Sequence, residues 1–250
     1  MKRMFAMVVV VVVAVVLSGS CFAQNAPKQA GDAGAQVIAV VLGKQITAAD
    51  KDKLDGLIFS TLLQEYAKDN QIEATDAELD AFLAKTEEKE QQTQARFEAD
   101  RDRLQRELQA ATLAEGDRKA KESQLETIES VLASSREIKE MTKGMAEQMR
   151  PMQRKMAQQF VKSWKINKAL YEQYGGRVIF QQAGAEPLDA YRDFLREQQK
   201  KGAFQILDKQ YEASFWRYFT NDSMHRFYNQ TDGAQFINTP WWMMAQLPQQ

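Results

Sequence analysis

Methionine is the residue type whose spacing stands out. Met141, Met145, Met149, Met152 and Met156 follow one another at intervals of 4, 4, 3 and 4, with Gly144 and Gln148 between them, so on a helix they share one face. A methionine side chain is unbranched and polarizable, and apolar surfaces rich in it adapt to varied partners. The chemistry on offer is adhesion: an apolar stripe for a client polypeptide, with Met145, Met149, Met152 and Met156 as the candidate contacts. The same stripe would serve as ordinary core, and the two uses coexist if it lines a cleft. Trp241-Trp242-Met243-Met244 poses a parallel choice between a docked tail and an exposed apolar patch.

Bond-making chemistry has few residues to work with. His225 is the only histidine and Cys21 the only cysteine. A Ser-His-Asp or Cys-His nucleophile would have to run through His225. That residue lies in Ser-Met-His-Arg-Phe-Tyr, where an aromatic-flanked structural histidine is the plainer reading. Zinc sites need His and Cys ligands in clusters, and no G-x-G-x-x-G, Walker A or H-E-x-x-H pattern occurs. Carboxylate pairs such as Glu87-Glu88 read as the solvated face of a charged helix rather than a glycosidase pair, which needs a concave apolar site. No catalytic, cofactor-binding or metal-binding residue is assigned, and no cofactor is expected.

The N-terminus has the layout of a secretory signal: Lys2 and Arg3, an apolar run Val8 to Leu17, Ser18-Gly19-Ser20, then Cys21-Phe22-Ala23 before Gln24. Residues 1–23 are therefore expected to be a signal peptide cut near Ala23, giving a periplasmic protein. The run is shorter than the roughly 20 residues that span a bilayer. Cleavage before Cys21 would instead give a lipoprotein, although Ser18 stands where a lipobox has leucine. Removing Lys2 and Arg3 takes the net charge from −1 to about −3, which offers no attraction for nucleic acid or an anionic membrane. It also removes Cys21, so no disulfide is expected and burial alone must hold the fold. Some 225 residues are enough for that.

The elements that must position these residues are mostly helical. Residues 24–36, rich in Ala, Gly, Gln and Asn, read as a flexible leader. Val37 to Leu42 predicts a strand ending at Gly43-Lys44. Thr47, with Asp50 three residues on, predicts a helix start, and Leu54, Leu57, Ile58, Thr61, Leu62 and Tyr66 predict its buried face. Thr75-Asp76-Ala77-Glu78 is a capping box opening the next helix. From Ala77 to Tyr174 nearly every residue is a helix former, and Pro151 is expected to kink or break the chain. Phe97, Leu104, Leu108 and Ala111 form a heptad seam that Leu125, Ile128, Leu132, Ile138 and Met141 resume. Residues 84–174 thus predict a long antiparallel helical hairpin, tip near Gly116, whose narrow seam makes it an arm. In 175–229, Gly175-Gly176 stops the helix. A strand at Arg177 to Gln181, a helix with Pro187 at its first position and Gly202 closing it, a strand at Ala203 to Leu207 and an aromatic helix around Tyr211 to Phe219 follow. Residues 230–250 read as an irregular aromatic tail. The fold class is mainly α with a small β element.

Two stretches carry a family likeness. Val40-Val41-Leu42-Gly43-Lys44-Gln45-Ile46-Thr47 and Asn70-Gln71-Ile72-Glu73-Ala74-Thr75-Asp76-Ala77-Glu78-Leu79-Asp80 resemble the N-terminal segment of the SurA and PrsA type of periplasmic chaperones and peptidyl-prolyl isomerases. The likeness spans Val37 to Leu83. It implies a SurA-N-like helical body that cradles unfolded or exported polypeptides without ATP. Val178 to Leu207, with Gly202-Ala203-Phe204, is similar to the opening of a parvulin isomerase domain. Parvulins use paired histidines with a cysteine or aspartate, which His225 alone does not supply, so no catalytic residue is carried over. Three functions remain as expectations: a chaperone, a structural coiled-coil adaptor that self-associates through the arm, and a peptidyl-prolyl isomerase with a degenerate catalytic domain.

Overall fold

The computed structural model describes residues 36–109, 113–181 and 183–245. The expected signal peptide, Cys21, the leader up to residue 35 and Ala111 lie outside the described residues. Two compact units are formed, one from Ala84–Met152 and one from Gly31–Leu83 with Gln153–Gln250. The chain is mainly helical, with seven α-helices and two small antiparallel sheets among the described residues. No helix among them is long and apolar enough to cross a membrane.

The discontinuous unit begins with a hairpin. Strands β1 (Val37–Val41) and β2 (Lys44–Thr47) pair antiparallel, with Val41 opposite Lys44, across the two-residue turn Leu42-Gly43. Both turn residues have positive φ, 46° and 75°, the type I′ geometry whose twist matches that of the strands. Glycine adopts this at no steric cost; Leu42 does not. The chain does not enter an α-helix at Thr47. Ala48–Lys53 forms a 3₁₀ turn with no side-chain cap from Thr47, and α1 runs from Leu54 to Asp69. Ile38, Ala39 and Val41 of β1 and Leu54, Ile58 and Leu62 of α1 are buried in one core.

The capping box forms as its spacing requires: Thr75 N–H donates to Glu78 Oε2 at 2.7 Å and Glu78 N–H to Thr75 Oγ1 at 3.3 Å. Helix α2 (Asp76–Gln109) starts there. The later half of α4 (Ala146–Tyr174) runs back antiparallel to this start. Arg154 bridges Asp76 and Asp80 at 2.6 Å each, Lys162 reaches Glu73 at 2.6 Å, and Phe82 stacks on Phe160 with centroids 5.6 Å apart.

Strands β3 (Ile179–Gln181) and β4 (Gly184–Glu186) make a second hairpin. Helix α5 (Leu188–Lys200) follows directly, with Pro187 at the cap rather than inside the first turn. Strand β5 (Phe204–Ile206) then adds to the free edge of β1, giving the order β2-β1-β5. Helix α6 (Glu212–Thr220) buries Phe215 and Phe219. Residues 230–245 are not irregular as expected. Asn229 Oδ1 accepts from Asp232 N–H at 2.9 Å and caps a further helix, α7 (Gln230–Asn238), and a 3₁₀ turn spans Trp241–Met243. The tail is docked: Trp242 is 4% exposed among Leu79, Phe82, Ala157 and Val161, and Trp164 Nε1 donates to the Ile237 carbonyl at 2.8 Å.

The other unit is a helical hairpin of α2 beyond residue 84 and α3 (Glu115–Thr142). Lys121 pairs with Glu107, Arg118 Nη1 donates to the Leu108 carbonyl at 3.0 Å, and Gln105 Nε2 to Glu129 Oε1 at 3.2 Å, an antiparallel register. Gly116, expected at the tip, lies in the first turn of α3. The seam is thin. Leu104 and Leu132 are buried, whereas Phe97, Leu108, Leu125, Ile128 and Ile138 are only partly covered.

Candidate functional site

The methionine segment is built differently from a continuous stripe. Helix α3 stops at Thr142 and α4 starts at Ala146. The break is made by Gly144, whose φ of 84° lies in the left-handed region that ends helices. The two intervals of 4 from Met141 to Met149 run across it; Met145 N–H donates to the Thr142 carbonyl at 2.9 Å in the turn, and Met149 N–H to the Met145 carbonyl at 2.9 Å in the helix that follows. Met141 therefore ends one helix, and Met145 leads into the next, which carries Met149, Met152 and Met156. Pro151 does not break α4, which continues through it to Tyr174. It lies near the helix start, where the carbonyl that loses a partner is at the exposed residue Glu147.

Exposure separates these side chains from core. Met141 is 60%, Met145 43% and Met152 44% exposed, while Met149 and Met156 are half-buried. The other large apolar side chains standing exposed among the described residues are Leu42, Leu207, Met224 and Met243. Of the exposed ones, those in the 84–152 unit are all methionines and fall within twelve residues. The charges around them pair with one another, Lys143 with Glu140 at 3.4 Å and Arg150 with Glu147 at 3.7 Å. Exposed Lys139 and Lys155 flank the group as well, so its apolar side chains stand in a mildly basic surface.

Around β4 a second constellation forms that sequence reading missed. Asn167 Nδ2 donates to the Ala185 carbonyl at 3.0 Å, and its Oδ1 accepts from Tyr191 Oη at 2.6 Å. Tyr218 Oη donates to Glu186 Oε2 at 2.7 Å. Burial raises the Glu186 carboxyl above its ordinary range, against the lowering effects of the Tyr218 hydrogen bond and the His225 ring. Burial and the Glu186 charge push both phenols well up, so they act as protonated donors. His225 Nε2 lies 2.7 Å from the Tyr218 carbonyl, with Tyr218 and Phe227 edge-on to the ring. Tyr191 and Asn167, and Tyr218 and Glu186, are paired with one another, while His225 Nδ1 is buried with no partner among the described residues. Residues 167, 186, 191, 218 and 225 are far apart in the chain and have no shared spacing to signal their meeting.

Next to it Asp189 gathers two arginines. Its carboxylate accepts from Arg177 N–H, Nε and Nη2 at 2.8, 2.8 and 3.0 Å and from Arg192 Nη2 at 2.6 Å. Arg177 also reaches Asp222 at 2.7 Å and lies 4.0 Å over the Phe227 ring. Nε, Nη1 and Nη2 of Arg177 each donate to one of these two carboxylates. Cavities of about 270 and 230 Å³ lie beside Leu132 and beside Arg177, below the roughly 300 Å³ at which small-molecule pockets begin. Among the described residues no group of three or more His, Cys, Asp or Glu converges as a metal site.

No protein-family model, curated protein or solved structure matches the chain.

Proposed function

We propose that this protein is an ATP-independent extracytoplasmic chaperone that binds unfolded or exported polypeptides on a helical apolar surface. The observation carrying the reading is the clustering of exposed Met141, Met145 and Met152, with Met149 beside them and Met156 further along α4. A soluble domain gains nothing in stability from apolar side chains left in water, and grouped ones mark contact surface. The resemblance of Val37 to Leu83 to SurA and PrsA type chaperones points the same way, as does the signal-like stretch 1–23. The adaptor reading draws less support, because Leu104 of its seam is 3% exposed within the chain's own hairpin. For an isomerase, His225 is the only histidine available.

Completing the burial of three half-exposed methionines is worth about 1 kcal/mol each at roughly 25 cal/mol per Å². The purified mature chain should slow aggregation of an unfolded substrate, read by light scattering, at near-equimolar ratio. Replacing Met145, Met149 and Met152 together by serine should weaken client affinity by about two orders of magnitude. Absence of any effect of the wild type at several-fold excess would sink the reading.

A further inference from the structure

The methionine segment has a second chemistry that client binding does not use. Leucine would provide similar apolar area at about the same helix propensity, yet the exposed large apolar positions of this unit carry thioethers. Thioether sulfur is a soft neutral donor, and soft donors select Cu(I) over the harder divalent ions. Met149 and Met152 are three residues apart within α4, and Met145 stands immediately ahead of it, its carbonyl accepting from Met149 N–H at 2.9 Å. Side chains at such spacings start about 5–6 Å apart at Cβ. Methionine has three rotatable bonds, so three sulfurs can swing onto one ion above the helix. Exposures of 43% and 44% at Met145 and Met152 leave room for that movement without unpacking a core. Arg150 and Lys143, the cations nearest in sequence, are paired with Glu147 and Glu140.

We propose that Met145, Met149 and Met152 form a three-thioether site for Cu(I). Because the ligands carry no proton, binding releases none and persists into mildly acidic solution, unlike a site of histidines or thiolates. The site does not depend on the chaperone reading, and that reading is tested on copper-free protein, so each fails separately.

The test is an anaerobic titration of the full mature chain with Cu(I), kept reduced by ascorbate, against a chromogenic Cu(I) chelator. One equivalent per chain should be withdrawn from the chelator, with X-ray absorption showing a sulfur-only first shell. Met149→Leu should weaken retention at least tenfold, and Met145→Leu/Met149→Leu/Met152→Leu should abolish it with helix content by circular dichroism unchanged. Retention should differ less than threefold between pH 7 and pH 5. No copper withdrawn by the wild type overturns the proposal. Equal retention by the triple variant, or a first shell of nitrogen or oxygen, does so as well.

Discussion

Replacing Asp189 by asparagine keeps the shape of the side chain and removes its charge, which isolates the role of the carboxylate between Arg177 and Arg192. Four hydrogen bonds converge on it, and the side chain is 12% exposed. An asparagine oxygen can still accept from Arg177 Nη2 and Arg192, but its NH₂ then faces the Arg177 N–H and Nε, donor against donor. Two charge-assisted bonds are lost, each worth about 1.5–3 kcal/mol. Arg177 is 43% exposed and keeps Asp222, so water and that partner offset part of the loss. The expected cost is about 2–3 kcal/mol, which at ordinary denaturant slopes lowers the urea midpoint by roughly 1–2 M. The pH dependence identifies the cause. Burial alone would raise Asp189, but the hydrogen bonds and charges of Arg177 and Arg192 outweigh it and hold the carboxyl below 3.8. A depressed acid stabilises the fold above its unfolded value and loses that contribution as pH falls through its folded value. The gap between wild type and Asp189→Asn should therefore be full at neutral pH and close in strong acid. Coincident urea curves at neutral pH, or a gap that does not narrow below 3.8, would refute the reasoning.

Leu42 holds a positive φ in a turn that prefers Asn-Gly, so Leu42→Asn should raise thermal stability by about 1 kcal/mol, seen as a higher melting temperature. Trp242→Ala should cost about 3–4 kcal/mol, since the indole is buried edge-on to Phe82 and Trp164; a loss below 1 kcal/mol by urea denaturation would mean that the tail is not anchored. Leu132→Ala should cost about 2–3 kcal/mol and speed amide exchange across 84–142, because Leu104 is the other fully buried apolar residue of that seam. Glu186 has a raised folded pKa, so its ionised form costs stability above that value and the cost vanishes below 4.5. Wild type should accordingly gain on Glu186→Gln as pH falls from 7 toward 4.5, and a constant difference in urea midpoint would contradict the burial.

Legibility differed with range. The Thr75–Glu78 capping box could be read because both partners lie three residues apart and the bond geometry follows from helix phase alone. The antiparallel pairing of α2 with α3 was readable from its seam, but the expected extent to Tyr174 was not met, because residues from Gln153 on pack into the other unit. The break at Lys143–Met145 was not readable, because the methionine intervals across Gly144 are those of an unbroken helix, whereas its φ of 84° is set by the fold. Helix α7 was missed because its residues, Gln230 to Asn238, carry few apolar positions, and Asn229 was not recognised as its cap. The thioether spacing was visible in the sequence; whether it was surface or core was not.

What the amino-acid sequence determined by itself is local: helix-rich composition, the caps, the narrow seam, and the scarcity of histidine and cysteine that leaves methionine the most abundant soft donor. Tertiary structure decided what depends on distant partners. It set β5 on the edge of β1, gathered Asn167, Glu186, Tyr191, Tyr218 and His225 around β4, and buried Trp242 while leaving Met141, Met145 and Met152 in solvent. The physical reason is that hydrogen bonding within a turn is settled by backbone phase. Burial is a competition among all apolar surfaces of the chain, and its outcome exists only once they are packed.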